Sequence, residues 1–119
     1  MLGEGLTMYL TESDGVALLR RVVDHAPSGE LQFDAFNRLA IRTQWANAVV
    51  RRSGATLHWA INGPDDILDA VPGTRLLQCE RWFESDTYTR VPRGYRALGR
   101  AMSLIPAVAN MSQYHRYAF

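Results

Sequence analysis

Gly3-Glu4-Gly5-Leu6-Thr7-Met8-Tyr9-Leu10-Thr11-Glu12 is the stretch on which the reading of this chain turns. An acid between two glycines, then an apolar and aromatic run, then a helix cap, has the form of a strand end opening onto a site. Only Met1-Leu2-Gly3 stand before Glu4. The strand that should carry the acid to the rim of a sheet is thus expected as a stub of two residues, and the chain reads as starting in the middle of a motif.

Outward from that point, Thr11-Glu12-Ser13-Asp14 forms a capping box, a hydroxyl for the orphan amides with an acid three residues on. Val16, Leu18, Leu19, Val22 and Val23 follow at helical spacing, and Ala26-Pro27-Ser28-Gly29 stops the helix. Glu30 to Phe36 alternates, with Leu31, Phe33 and Ala35 on one side, and predicts a strand. Asn37 caps a second, less regular helix over 38–52. Residues 55–62 read as loop, Pro64 to Val71 as a short helix opened by Pro and two acids, and 74–82 as a strand. A polar loop over 83–91 leads to a long helix from Pro92 to Ile105, with Tyr95, Leu98, Met102 and Ile105 on one face, closed by Pro106. The aromatic end, 113–119, predicts a last strand. Helices alternating with strands make this an α/β chain, and 119 residues make one domain over 1–119.

The composition, 47% hydrophobic and 21% charged, is that of a soluble globular protein. No apolar run approaches the ~18 residues of a membrane helix, and the first ten residues lack a signal-peptide pattern. A single cysteine, Cys79, forms no internal disulfide and fits a reducing, cytoplasmic setting. All 13 cationic side chains are arginine. They suit phosphate or carboxylate recognition, or reflect compositional bias. With 12 acids and a net charge of +1 there is no footprint for nucleic acid. Neither membrane nor nucleic acid is expected as a partner.

Glu4 to Leu10, the capped helix, and Gly29-Glu30-Leu31-Gln32-Phe33-Asp34 together resemble the second half of the leucine carboxyl methyltransferase-like family. They are most similar to its tetracenomycin-type polyketide-synthesis O-methyltransferases. His58-Trp59-Ala60-Ile61-Asn62 and Gln113 to Phe119 look like the same branch. The resemblance covers nearly the whole chain but less than half of a complete family member. It implies a class I S-adenosylmethionine-dependent enzyme with a Rossmann-like sheet whose final strand is antiparallel. The expected fold is therefore the C-terminal half of that layout: a small sheet with an antiparallel C-terminal strand, flanked by helices. Residues 30–36, 74–82 and 113–119 would be its strands five, six and seven. Glu4 would stand at the end of strand four beside the cofactor with Gly5, and Tyr9 near the acceptor pocket. The Gly-rich turn after strand one and the acid after strand two, which hold the cofactor in such folds, have no counterpart: no predicted strand is followed by a Gly-x-Gly turn.

Each of these residues has a plainer reading. Glu4 is otherwise an exposed acid near a terminus, and Tyr9 packs a helix start. Trp59 with His58 forms a lid over a substrate, or Trp59 packs on the core. His115 is a base or a hydrogen-bonded strand histidine. Cys79 is a nucleophile with His58, or a small apolar residue in a strand. No metal site is expected, and no catalytic residue is singled out. The expected function is a methyltransferase of carboxylate or phenol acceptors, truncated and inactive alone. Its cofactor half would come from another chain, or the truncated unit would form a homodimer through the 30–36 side. The alternative is a non-catalytic oligomeric binding or interaction module derived from that fold.

Overall fold

The computed structural model describes the backbone of residues 1–119 and every side chain except that of Thr87. The chain runs β1 (Leu2–Gly3), α1 (Glu12–His25), β2 (Glu30–Phe36), α2 (Arg38–Arg42), α3 (Ala48–Ser53), α4 (Pro64–Ala70), β3 (Arg75–Arg81), α5 (Arg93–Met102), α6 (Pro106–Ala109) and β4 (Ser112–Ala118). The four strands form one mixed sheet in the order β1-β2-β4-β3. β1 is parallel to β2, and β4 runs antiparallel to both of its neighbours. β1, β2 and β3 therefore all point their carboxyl ends the same way.

Local chemistry accounts for the well-formed elements. The Thr11 side chain accepts the Asp14 amide at 3.2 Å, as a capping box requires. Leu31, Phe33 and Ala35 are fully buried, while their alternate neighbours on β2 are half-buried. Leu19 of α1, Ile67 and Val71 around α4, and Trp59 and Ile61 from the intervening loop cover that face. Phe33 stacks on Tyr117 across the β2–β4 pair, with centroids 5.7 Å apart. Full burial of a side chain such as Phe33 or Leu19 stabilises the fold by about 2–3 kcal/mol. Gly15 is the point of closest approach in this layer, because any Cβ there would collide with the Trp59 ring. The other sheet face is polar and half-exposed. On it Arg116 donates twice to Glu30, at 2.8 and 2.9 Å, and the Tyr114 hydroxyl donates to Gln32 at 2.9 Å.

Three sequence expectations change here. The helix expected over 38–52 is broken into α2, a 3-10 turn over Gln44–Ala46, and α3. Thr43 turns its hydroxyl back to the Leu39 carbonyl, at 2.8 Å, and Asn47 accepts the Val49 and Val50 amides as a fresh N-cap. Such side chains compete with the helix ladder and restart it. The helix expected over 92–105 ends at Met102, and Pro106 opens α6 instead of only closing its predecessor. The polar loop over 83–91 is a pair of 3-10 turns around edge-on rings of Trp82, Phe83 and Tyr88.

The outer edge of β2 is also not bare. Glu30 O accepts the Met1 amine at 2.6 Å, Met1 O accepts the Gln32 amide at 2.8 Å, and Asp34 O accepts the Thr7 hydroxyl at 2.6 Å. Leu19, Leu31 and Phe33 are fully buried and therefore not available to a partner, while Leu2, Trp45 and Val49 of the N-terminal and 38–52 segments remain exposed.

Candidate functional site

In open α/β sheets, ligands sit outside the carboxyl ends of the parallel strands. At that end of this sheet lies a groove of about 370 Å3, lined by Glu4, Asp34, Glu80, Arg81, Trp82 and Tyr114, with Ser85, Ser112 and Gln113 completing it. All of these but Ser85, which sits between two 3-10 turns, come from the strands or the residues next to their ends. β1 runs straight into the Gly3-Glu4-Gly5 turn, where Gly5 adopts a φ of 62°, a left-handed conformation that favours glycine. Its amide donates to Asp34 Oδ1 at 2.8 Å, tying the turn to the last part of β2. β3 ends at Arg81 and delivers Trp82, and β4 begins with Ser112, Gln113 and Tyr114.

Three carboxylates against one guanidinium make the groove acceptor-rich and negative. Arg81 is shared with Glu84, at 3.5 Å on an exposed surface. Such a surface suits a ligand that presents hydroxyls, amines or a positive charge.

Beneath the groove the sheet is sealed by a buried network. Gln113 Nε2 donates to the Asn62 and Asn110 carbonyls, at 3.1 and 2.9 Å. Its Oε1 is therefore the acceptor for His115 Nε2 at 3.0 Å and for the Cys79 thiol at 3.4 Å. His115 Nδ1 is left to accept the Tyr117 hydroxyl at 2.7 Å. Burial pushes the His115 pKa down from 6.5 to about 4, so the ring is neutral at pH 7. Burial raises the Cys79 thiol and the Tyr117 phenol above their ordinary values. His115 is thus a satisfied core histidine, and Cys79 is a protonated thiol with no thiolate character at neutral pH. Among the described residues no cluster of His, Cys, Asp and Glu is placed to hold a metal ion. None of the helices described is long and apolar enough to cross a membrane.

The residues singled out from the sequence divide into two groups. Glu4 is exposed on the groove, and Gly5 shapes the turn that presents it. Tyr9 closes a 3-10 turn, Thr7–Tyr9, and is 38% exposed, but it does not line the groove. Trp59 is 5% exposed, under α1 in the main core. Its edge reaches a separate polar concavity with Glu12, Arg38 and Asp66. The segments of Tyr9 and Trp59 do meet through the backbone, because the Met8 carbonyl accepts the His58 amide at 2.8 Å. Asp34, Glu80, Arg81, Trp82 and Tyr114 were not anticipated. Their signal was available, since Asp34 and 80–82 fall near the carboxyl ends of two strands expected from the sequence.

Along all 119 residues the chain is 33% identical to the tetracenomycin polyketide synthesis O-methyltransferase TcmP of Streptomyces glaucescens, of which it covers 44%. In an alignment that covers 76% of its length, it is 33% identical to the S-adenosyl-L-methionine-dependent methyltransferase dpfgK of Gibberella zeae, of which it covers 32%. The chain spans less than half the length of these curated relatives, and the match falls in their C-terminal part. The resemblance to polyketide-synthesis O-methyltransferases read from the residues is thereby borne out. No family model matches the chain, and no solved structure matches it.

Proposed function

We propose that these residues form the C-terminal half of an S-adenosylmethionine-dependent O-methyltransferase fold and supply one wall of its active site. The observation that carries the reading is the position of β4. The last strand of the chain inserts antiparallel between β2 and β3. That is the arrangement of strands five, seven and six in the class I layout implied by the resemblance. β1 then takes the place of strand four, which puts Glu4 at its carboxyl end on the groove.

The donor set fits part of the cofactor. S-adenosylmethionine would supply an electrophilic methyl on a positively charged sulfonium. Glu4, Asp34 and Glu80 present carboxylate oxygens, which accept from hydroxyls and ammonium groups and favour positive charge. A Gly-rich cradle and a second-strand acid are not among these residues, although Gly3-Glu4-Gly5 does follow a strand. In the sheet order it lies next to β2, in the fourth position of the class I layout, not the first. The unit therefore holds a partial site, and activity needs the remainder of the fold, in the same chain or another.

The chain's own contribution to methyl transfer is alignment. An acceptor oxygen must lie in line with the methyl carbon and the sulfur, out of bulk water. Trp82 and Tyr114 give the groove two aromatic surfaces on which an acceptor can rest. A carboxylate acceptor arrives ionised and needs no base, and a phenol would lose its proton to a groove carboxylate. Arg81 offers a cation to the first, and Glu80 and Asp34 offer bases to the second.

Titration of S-adenosylhomocysteine by calorimetry tests the reading. These 119 residues alone are expected to bind no tighter than about millimolar, roughly −4 kcal/mol. A chimera in which they follow the N-terminal part of the Streptomyces relative is expected to bind at least ~10-fold more tightly and to lose ~10-fold on Glu4→Ala. A folded chimera that does not bind would sink the methyltransferase reading. Micromolar affinity of the 119 residues alone would sink the partial-site reading.

A further inference from the structure

A second cavity opens beside the groove. It holds about 320 Å3 and shares Ser112 with the groove. On β2, Asp34 lines the groove and Phe36 lines the cavity. Two residues apart on a strand, they lie on one face of the sheet at roughly 7 Å spacing. Tyr114 and Ser112 repeat the relation on β4, so groove and cavity run into each other along that face. Their chemistry differs. Three carboxylates and Arg81 surround the groove, whereas no charged side chain lines the cavity. Phe36, Leu57 and Met111 give it apolar walls, and Ala40 and Ala46 are too small to fill it.

The walls are braced within this chain. Gln44 clamps two of them together: its Nε2 donates to the Leu57 carbonyl at 3.1 Å and its Oε1 accepts the Leu57 amide at 2.8 Å. The Asn37 amide donates to the Met111 carbonyl at 3.1 Å, and Asn37 Nδ2 to the Ala107 carbonyl at 2.7 Å. Beside the cavity, Met8, Val50 and Leu57 form a small buried cluster against Phe36 and Ile41. A concavity so held needs no partner to give it shape. Its size and apolar lining are those of a small-molecule site, for which about 300–1,000 Å3 is usual.

One polar side chain in the lining has a fixed orientation. Asn47 Oδ1 accepts the Val49 and Val50 amides, at 3.0 and 3.3 Å, which makes its other terminal atom, Nδ2, a donor. Among the described residues nothing accepts from Nδ2, and that atom is not sealed from solvent. An apolar cavity with one unpaired amide donor suits an uncharged ring that carries a carbonyl oxygen.

We propose that this cavity takes the uncharged ring of the methyl acceptor, and that Asn47 Nδ2 donates to a carbonyl oxygen on it and so selects acceptors that bear one. The proposal rests on the methyltransferase reading above. It puts the body of the acceptor beside the groove and leaves the carboxylates there free for the cofactor.

NMR titration of the chain with 4-hydroxyacetophenone and with 4-ethylphenol is the test. The two probes are nearly equal in size and both are phenols, but only the first has a carbonyl. Both should shift the signals of Ala40, Ala46 and Leu57 with dissociation constants in the millimolar range, the ketone binding about 5-fold more tightly. Asn47→Asp keeps the helix cap and removes the donor. It should bring the ketone down to the affinity of 4-ethylphenol, which itself should change less than ~2-fold. Ala46→Trp, at an exposed position, should fill the cavity and abolish binding of both. In the folded chimera described above, both probes should still bind at these residues. Absence of shifts at the cavity, equal affinity for the two probes, or a ketone preference untouched by Asn47→Asp would overturn the proposal. So would loss of binding in the chimera, where the other part of the fold would then occupy the cavity. No arm of the titration contains the cofactor. A chimera that binds the probes here but not S-adenosylhomocysteine would sink the methyltransferase reading and leave the carbonyl selectivity standing.

Discussion

His115 should make the stability of this protein depend on pH between about 6.5 and 4. The ring has no exposed surface, and its two nitrogens face the Gln113 oxygen and the Tyr117 hydroxyl. A second proton would have to go on Nδ1, opposite the phenol. Tyr117 would then have to turn its hydrogen to the Pro64 carbonyl, a long 3.4 Å away. Burial therefore holds the pKa near 4, against 6.5 for a free imidazole, and the nearby Asp66 charge offsets this only in part. The folded state binds the proton more weakly than the unfolded one. Stability is complete above pH ~6.5, falls as the pH drops toward ~4, and is flat below that as far as this residue is concerned. The full difference is about 3 kcal/mol, of which about 2 kcal/mol falls between pH 7 and 5. Urea denaturation at pH 7, 6 and 5 measures it. His115→Gln should be less stable at pH 7 but should lose the slope over this range. A wild-type slope equal to that of the variant, or an imidazole that titrates near 6.5 by NMR, would refute the sealed neutral histidine.

The remaining expectations concern the core and the sheet. Gly15→Ala drives a methyl into the Trp59 ring and should cost about 1–3 kcal/mol in denaturant titrations, with partial rescue by Trp59→Leu. Phe33→Asp or Leu19→Asp places a charge at a fully buried site. Each should abolish the cooperative thermal transition, where a surface role would have left a folded monomer. Deleting Tyr114 to Phe119 removes the strand that both β2 and β3 pair with, so circular dichroism should show loss of the fold, and a native-like melt would contradict the topology.

The parts of the fold legible in the sequence are those whose cause is local. The Thr11 cap, the strict alternation of 30–36 and the aromatic end at 113–119 each contain their own signal within a few residues, and each element lies within about two residues of its expected bounds. The helix over 38–52 was misread because apolar spacing ignores the hydrogen bonds that Thr43 and Asn47 make with the backbone. The antiparallel course of the last strand followed from a resemblance between whole sequences, not from any one segment.

The groove and the exposed face of α5 belong to the other category. Glu4 and Gly5 could be singled out because an acid between glycines is conspicuous on its own. Asp34, Arg81 and Tyr114 are ordinary residues of three separate strands, and they acquire a shared surface only when β4 pairs between β2 and β3. Periodicity marks a helical face as apolar whether it meets a core or solvent, so the residues of α1 and α5 looked equivalent. Packing separates them: Leu19 lies fully buried over Phe33, while Leu98 is held outward by the contact of Gly99 with Tyr88. Local chemistry was enough to form the elements, but which faces are buried and which strand ends converge depends on contacts between residues far apart in the chain, and only the assembled sheet brings those together.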